Sequence, residues 1–139
     1  MYAMIYTRPD ISIAVGKLSQ YLNDPGLDRW NAAKRVLRYL KGTTTFGVDL
    51  SGGHLQVIGF ADADWGGDVD ERKSTLEYLF MLGGGAVAWA SSRQRTVALP
   101  TTEVEYMALC HASREYVWIR SFCKELSIPI RNYQLNNDN

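Results

Sequence analysis

Apolar residues in the first third of the chain recur at helical spacing in two stretches. The first stretch follows Asp10, a residue type that caps helices, and ends at the helix-breaking pair Pro25-Gly26. The second ends at Gly42, just after Lys41, where a cation suits the carbonyl end of a helix. The two stripes are Ile11, Val15, Leu18 and Leu22, and then Trp30, Ala33, Leu37 and Leu40. The pattern therefore predicts two N-terminal helices within residues 1–44, with Leu37 in the core.

From Thr45 onward the pattern changes to short apolar runs separated by turn residues. Strands are predicted at residues 46–50, 55–61, 78–82 and 86–90, with a further strand at 95–99. Gly83-Gly84-Gly85 marks a hairpin between two of these runs. This order is typical of an antiparallel meander.

The longest stripe begins at Thr101 or Thr102 and keeps helical spacing as far as Ile128-Pro129. A last short strand is predicted around Leu135. Strands, a long helix and a final strand indicate the α+β fold class, with the helix packed across a sheet.

Composition narrows the classes of protein that this chain fits. It has 139 residues, of which 46% are hydrophobic and 22% charged, as in ordinary globular proteins. Lys plus Arg equal Asp plus Glu at 15 each, so the whole chain lacks the basic excess typical of nucleic-acid binding. It also lacks a run of roughly 20 apolar residues and a signal-peptide pattern at its start. We therefore expect no contact with a membrane and an intracellular protein, in the cytoplasm or the nucleus.

The cysteines and histidines do not predict a metal site. Cys110 and Cys123 lack the paired spacing of zinc ligands or of a disulfide framework, and we interpret them as free thiols. His54 and His111 are far apart and have no Cys or His neighbour at ligand spacing.

Acidic residues are the candidates for chemistry, because hard cations such as Mg²⁺ need carboxylate oxygens held close together. Asp62 and Asp64 lie at the end of an apolar run, Glu103 and Glu105 open the long helix, and Asp138 follows the last predicted strand. The simpler alternative is that they are solvated surface residues. Thr102 and Glu105 also have the spacing of a helix capping box.

Several motifs follow one another along the chain in the same order as in the polyprotein of Ty1/copia-type retrotransposons. The sequence closely resembles that polyprotein, and the resemblance covers almost the whole chain. The motifs are Thr7-Arg8-Pro9-Asp10-Ile11, residues 30–43 (Trp-Asn-Ala-Ala-Lys-Arg-Val-Leu-Arg-Tyr-Leu-Lys-Gly-Thr), Asp62-Ala63-Asp64-Trp65, Asp68, Arg72-Lys73-Ser74-Thr75 and Thr102-Glu103-Val104-Glu105-Tyr106-Met107-Ala108.

The resemblance implies that residues 1–44 are a helical remnant of the reverse-transcriptase or connection region. Residues 45–139 then form a ribonuclease H-like domain, a mixed sheet with helices that hydrolyses the RNA strand of an RNA–DNA hybrid with two Mg²⁺ ions. Asp62 matches the family's first-strand aspartate, Glu105 its helix glutamate and Asp138 its third carboxylate. These three residues are the implied catalytic and metal-binding set.

The sequence departs from the family pattern at Leu76-Glu77, where the family has Ser-Gly, and at Pro100, where it has Ser. The chain also stops at Asn139, before the segment that carries the family's fourth acidic residue. We therefore expect an incomplete ribonuclease H-like domain that is inactive by itself.

A second hypothesis rests on Arg35-Val36-Leu37-Arg38, which has the R-x-L-R form of the translocation motif of secreted oomycete effectors. Under this hypothesis the protein is secreted and acts on a target in the host cell. The same four residues also belong to the retrotransposon motif, with the arginines on the outer face of a helix.

A third hypothesis is a non-catalytic module that binds RNA–DNA hybrids. Lys34, Arg35, Arg38 and Lys41 crowd one predicted helix, and contacts with phosphates require only charge.

Overall fold

The computed structural model describes residues 1–52, 55–64, 73–94 and 101–137, without the side chains of Asp64 and Thr101. The chain divides into two compact units, Met1–Val48 and Asp49–Asn139. We call them the helical unit and the sheet unit.

The helical unit contains more helical segments than the two predicted. Its elements are α1 (Tyr2–Tyr6), a 3-10 turn (Pro9–Ile11), α2 (Ser12–Ser19) and α3 (Gly26–Gly42). Pro9 opens the 3-10 turn, as its fixed φ favours. Asp10 was wrongly predicted to cap a helix: the residue before α2 is Ile11, which makes no side-chain capping bond.

Arg8 connects the start of the helical unit to the end of α3. Its guanidinium donates hydrogen bonds to the Asp10 carboxylate at 2.7 and 2.9 Å. It also donates to the hydroxyl of Thr43 at 2.7 Å and to the backbone carbonyl of Thr43 at 3.2 Å. Tyr39 donates its hydroxyl hydrogen to the same carboxylate at 2.7 Å. The carboxylate of Asp10 therefore takes part in a hydrogen-bond network that links residues distant in sequence, and it does not cap a helix.

The sheet unit contains β1 (Gln56–Asp64), β2 (Thr75–Leu82), β3 (Gly85–Arg93), α4 (Thr101–Glu125) and β4 (Asn132–Asn137). The strand order is β3-β2-β1-β4, with β1, β2 and β3 antiparallel and β4 parallel to β1. This mixed sheet and the long helix across it confirm the predicted α+β class. The predicted strands at 78–82 and 86–90 and the one around Leu135 are confirmed, whereas residues 95–99 lie outside the described part of the chain.

The predicted strand at residues 46–50 is wrong. These residues form no regular element, and Phe46 and Val48 are exposed. The chain instead runs past the β2–β3 turn, where the N–H of Gly52 donates to the carbonyl of Gly83 at 2.8 Å. Gly83 and Gly84 both have positive φ, which a two-residue hairpin of type I′ requires.

The core of the sheet unit lies between α4 and one face of the sheet. Val57, Ala61 and Phe80 of the strands meet Ala112, Ile119 and Cys123 of α4. A second cluster joins Leu76 of β2 to Val104 and Ala108 near the start of the helix. Small residues on α4 let the helix approach the sheet closely, and this fixes the position of its first turns against the ends of the strands.

Candidate carboxylate site at the end of the sheet

Asp62 stands on the face of the sheet that α4 leaves uncovered. Successive side chains of a strand point to opposite faces. In β1, Val57 and Ala61 are buried under α4, whereas Phe60 and Asp62 are exposed. The carboxylate Oδ1 of Asp62 accepts a hydrogen bond from the N–H of Ala63 at 2.7 Å.

Glu77 of β2 is the direct cross-strand partner of Asp62. Residues paired in an antiparallel ladder share a face, so the two carboxylates are neighbours. Glu77 is half-buried, and its Oε1 accepts a hydrogen bond from the hydroxyl of Ser91 on β3 at 2.8 Å. In the sequence Glu77 was noticed only as a departure from the family pattern, because the register between β1 and β2 cannot be deduced across the segment that joins them.

Glu105 lies in the first turns of α4 and is half-buried, whereas Glu103 is exposed. Glu105 lines a groove of about 240 Å³ together with Thr102, Tyr106, Leu109 and Asn137. The helix starts at Thr101, so Thr102 already lies in its first turn.

Asn137 relates the groove to β1. It is paired with Ala61 in the parallel ladder between β4 and β1, one residue before Asp62. Paired residues in a parallel ladder also share a face, which places Asn137 on the side of α4 and explains its contact with the groove. Glu105, Asn137 and the end of β1 thus occupy the same end of the sheet, but Glu105 and Asn137 lie on the side of α4 and Asp62 lies on the opposite face.

The oxygen atoms at this end are of the type that Mg²⁺ prefers, carboxylate and amide oxygens. Within the described ranges, no group of three or more His, Cys, Asp or Glu side chains could hold a metal ion. Asp138 lies outside the described residues. That Asp62, Glu105 and Asp138 share a cation stays a prediction.

The cationic residues predicted to bind nucleic acid lie on α3 in the helical unit. Lys34, Arg35, Arg38 and Lys41 are all exposed. Lys34, Arg35 and Arg38 line a groove of about 570 Å³ together with Asn31 and Leu37. Leu37 is 65% exposed, so its prediction as a core residue is wrong. The half-buried apolar residue of the R-x-L-R stretch is Val36.

No helix of the described chain is both long and apolar enough to span a bilayer.

No family model matches this chain, and no solved structure matches it. Individual proteins do match. A protein of Plasmopara viticola named secreted RxLR effector protein 161 is 54% identical over 86% of this chain and 84% of its own length. The retrovirus-related Pol polyprotein from transposon TNT 1-94 of Nicotiana tabacum is 46% identical over 96% of this chain. The Pol polyprotein from transposon RE2 of Arabidopsis thaliana is 44% identical over 91% of it.

These relatives show that the chain is of retrotransposon origin. It belongs to the Pol polyprotein family of copia-type transposons. The match spans only 10% and 9% of the tobacco and Arabidopsis polyproteins.

Proposed function

We propose that the sheet unit is a ribonuclease H-like domain, derived from an enzyme that hydrolyses the RNA strand of RNA–DNA hybrids. One observation carries the proposal: the parallel pairing of β4 with β1 sets Asn137 beside Ala61, while Asn137 shares a groove with Glu105. The start of α4, which carries Glu105, therefore lies at the same end of the sheet as the end of β1, which carries Asp62 on the face opposite α4.

Asp138, the third ligand that the resemblance implies, follows Asn137 directly in the sequence. The proposed cation ligands are Asp62, Glu105 and Asp138. A bound pair of Mg²⁺ ions would activate the attacking water and stabilise the leaving oxygen. The task of the protein is then to hold the carboxylates and to position the hybrid beside them.

The fold is compatible with this role. Three antiparallel strands, a long helix and a fourth strand parallel to the first form the kind of mixed sheet that the resemblance implies. The small residues Ala108 and Ala112 keep α4 close to the sheet. The carboxylate of Glu105 is thereby carried on a rigid element, as a metal ligand requires.

Cation binding by the intact chain tests the proposal without relying on catalysis. Mn²⁺ is paramagnetic and replaces Mg²⁺ at oxygen sites, so it broadens the NMR signals of nearby amides. We expect broadening to centre on residues 61–63, 104–106 and 136–137. Asp62→Asn and Glu105→Gln should each weaken this broadening. Glu103→Gln is the matched control, since its side chain is exposed on the same helix turn, and it should leave the broadening unchanged.

Two outcomes would reject the site. Broadening that centres on another acidic cluster would show that Asp62 and Glu105 do not share a cation. Equal weakening by Glu103→Gln would show diffuse attraction to the acidic surface.

A second candidate function is that of a secreted effector, and one observation favours it: the match to the Plasmopara viticola protein covers 84% of that protein's length. Arg35 and Arg38 of the R-x-L-R stretch are exposed on α3, as recognition by another molecule requires. Immunodetection of the chain in culture filtrate of its source organism, beside a cytosolic marker protein, tests this function. An effector should appear in the filtrate without the marker, and retention with the marker would exclude secretion.

A further inference from the structure

The second half of α4 exposes a group of large apolar side chains, each between 45% and 61% exposed. They are Val117, Trp118, Phe122 and Leu126, and we call them the α4 patch. The rings of Trp118 and Phe122 are stacked, with their centroids 5.1 Å apart and an angle of 12° between their planes. They therefore present one broad apolar surface, of the kind that marks a contact with another protein.

Opposite charges stand at the two ends of the α4 patch. Arg114 and Glu125 are both exposed, and neither forms an ion pair with another of the described residues. Eleven residues separate them along α4. This is about three helical turns, so the two side chains lie on the same side of the helix, about 16 Å apart along its axis. A partner that fits the patch should therefore carry a negative charge at one end and a positive charge at the other.

A second copy of α4 in antiparallel orientation has this distribution of charge. In a parallel pair with twofold symmetry, identical residues stand opposite each other, so Arg114 would meet Arg114 and Glu125 would meet Glu125. In an antiparallel pair, the twofold axis can pass midway between these two positions. Arg114 of each copy then stands opposite Glu125 of the other copy, and both ends of the interface hold opposite charges.

The same register also matches the side chains by size. The positions of two residues that stand opposite each other are then equally far from the midpoint between Arg114 and Glu125. Trp118 stands opposite Ser121 of the second copy, and Val117 stands opposite Phe122. Ser121 is exposed on α4, so the indole ring meets a small side chain that leaves room for it. Alternation of large and small residues across a helix pair allows the two helices to pack closely.

We infer that the protein associates with a second copy of itself through antiparallel pairing of the two α4 helices. The α4 patches pack against each other between two ion pairs of Arg114 with Glu125. These few side chains are well short of the roughly 20–30 residues a side of a standard interface, so the association is weak and reversible. The interface involves the second half of α4 and does not depend on the proposed cation site, whose Glu105 lies in the first turns of the helix.

Sedimentation velocity of the full chain at about 5–500 µM tests the inference. We expect the sedimentation coefficient to rise with concentration from that of a monomer to that of a dimer and no further, because a twofold interface closes on itself. Trp118→Ala should weaken the dimer about tenfold or more, as the loss of a central aromatic side chain often does. Tyr106→Ala removes a similarly exposed ring near the start of the same helix, and as the matched control it should change little.

Charge reversal tests the antiparallel register. Arg114→Glu and Glu125→Arg each place like charges opposite each other at both ends of the interface, and each should weaken the dimer by about fivefold. Mixed in equal amounts, the two variants should associate with each other more tightly than either does with itself, because both ends then hold opposite charges again. An effect of one substitution on the folding of its own chain cannot produce this rescue.

Three results would overturn the inference. A chain that stays monomeric over the whole concentration range would show that the α4 patch does not bind a second copy. A dimer that Trp118→Ala leaves as tight as before would place the interface elsewhere. A mixture of the two charge-reversal variants that associates no better than each variant alone would exclude the antiparallel pairing of Arg114 with Glu125.

Discussion

Asp62 of β1 stands directly opposite Glu77 of β2, so two carboxylates are neighbours on the uncovered face of the sheet. Like charges directly opposite each other destabilise an antiparallel pair. Glu77 is also the residue that replaces the glycine of the family pattern. The substitution thus places a second negative charge beside the aspartate proposed to hold the cation.

We predict that Glu77→Gln stabilises the sheet unit at low salt by a few tenths of a kcal/mol, because it removes this repulsion while its side-chain oxygen still accepts the hydrogen bond from Ser91. Thermal unfolding by circular dichroism should show a higher midpoint at low salt and almost none of this gain at about 1 M salt. Glu103→Gln serves as the control. A lower midpoint at both salt concentrations would mean that the bond to Ser91 outweighs the repulsion.

The network around Asp10 makes the helical unit sensitive to acid. The hydrogen bonds from Arg8, with a smaller contribution from Tyr39, lower the pKa of Asp10 from 3.8 to about 2. A depressed carboxyl pKa stabilises the folded state above the unfolded pKa, and this stabilisation is lost as the pH falls from about 4 towards 2.

Asp10→Asn should therefore destabilise the helical unit at pH 6 by about 1 kcal/mol, a modest loss because the pair is partly exposed to solvent. The difference from the unmodified chain should shrink to nearly zero at about pH 2. Urea unfolding at several pH values measures it. Asp24→Asn replaces an exposed aspartate and should show no such trend. A difference that does not change with pH would argue against the ion pair.

Neighbouring side chains fill the space that a side chain at Gly59 of β1 would need. A Cβ at this position would contact the ring of Phe80 and lie 2.8 Å from Cδ1 of Leu135. We predict that Gly59→Ala destabilises the sheet unit by about 1–3 kcal/mol through overpacking. Combining it with Phe80→Leu should cost less than the sum of the two single changes, because the smaller side chain makes room.

Urea unfolding of the two single variants and the double variant gives this coupling energy. Phe60→Leu, on the exposed face of the same strand, should cost little. Strict additivity of Gly59→Ala and Phe80→Leu would show that the two side chains do not compete for the same space.

Helices with a long apolar stripe and turns with a characteristic glycine pair were predictable from the sequence. The helix from Thr101 has a sustained apolar stripe, and Gly83-Gly84 has the composition that a tight hairpin demands. The prediction of a strand at residues 46–50 was wrong because alternating apolar residues do not form a strand without a neighbouring strand to pair with. The prediction that Asp10 caps a helix was wrong because its carboxylate accepts hydrogen bonds from the guanidinium of Arg8 and the hydroxyl of Tyr39.

The site was predictable only in part. The resemblance selects Asp62 and Glu105, but the relation of Asp62 to Glu77 depends on strand register, and that of Glu105 to Asn137 depends on where α4 crosses the sheet. Both are set by packing between residues far apart in the chain. The exposure of Leu37 has the same origin: periodicity shows which residues share a side of α3, but tertiary packing decides which side is covered.

With Mg²⁺, we expect the purified chain to cleave the RNA strand of an RNA–DNA hybrid extremely slowly or not at all. Hydrolysis by two metal ions needs a full set of ligands in exact position, and an error of about 1 Å costs on the order of a hundredfold in rate. In the tobacco relative the matching segment is 10% of a much longer polyprotein. The chain should be compared with a version fused to the segment that follows the match in that polyprotein, and Asp62→Asn should abolish any cleavage that either version shows. Rapid Mg²⁺-dependent cleavage by the chain alone, lost in Asp62→Asn, would show that the chain already holds a complete active site.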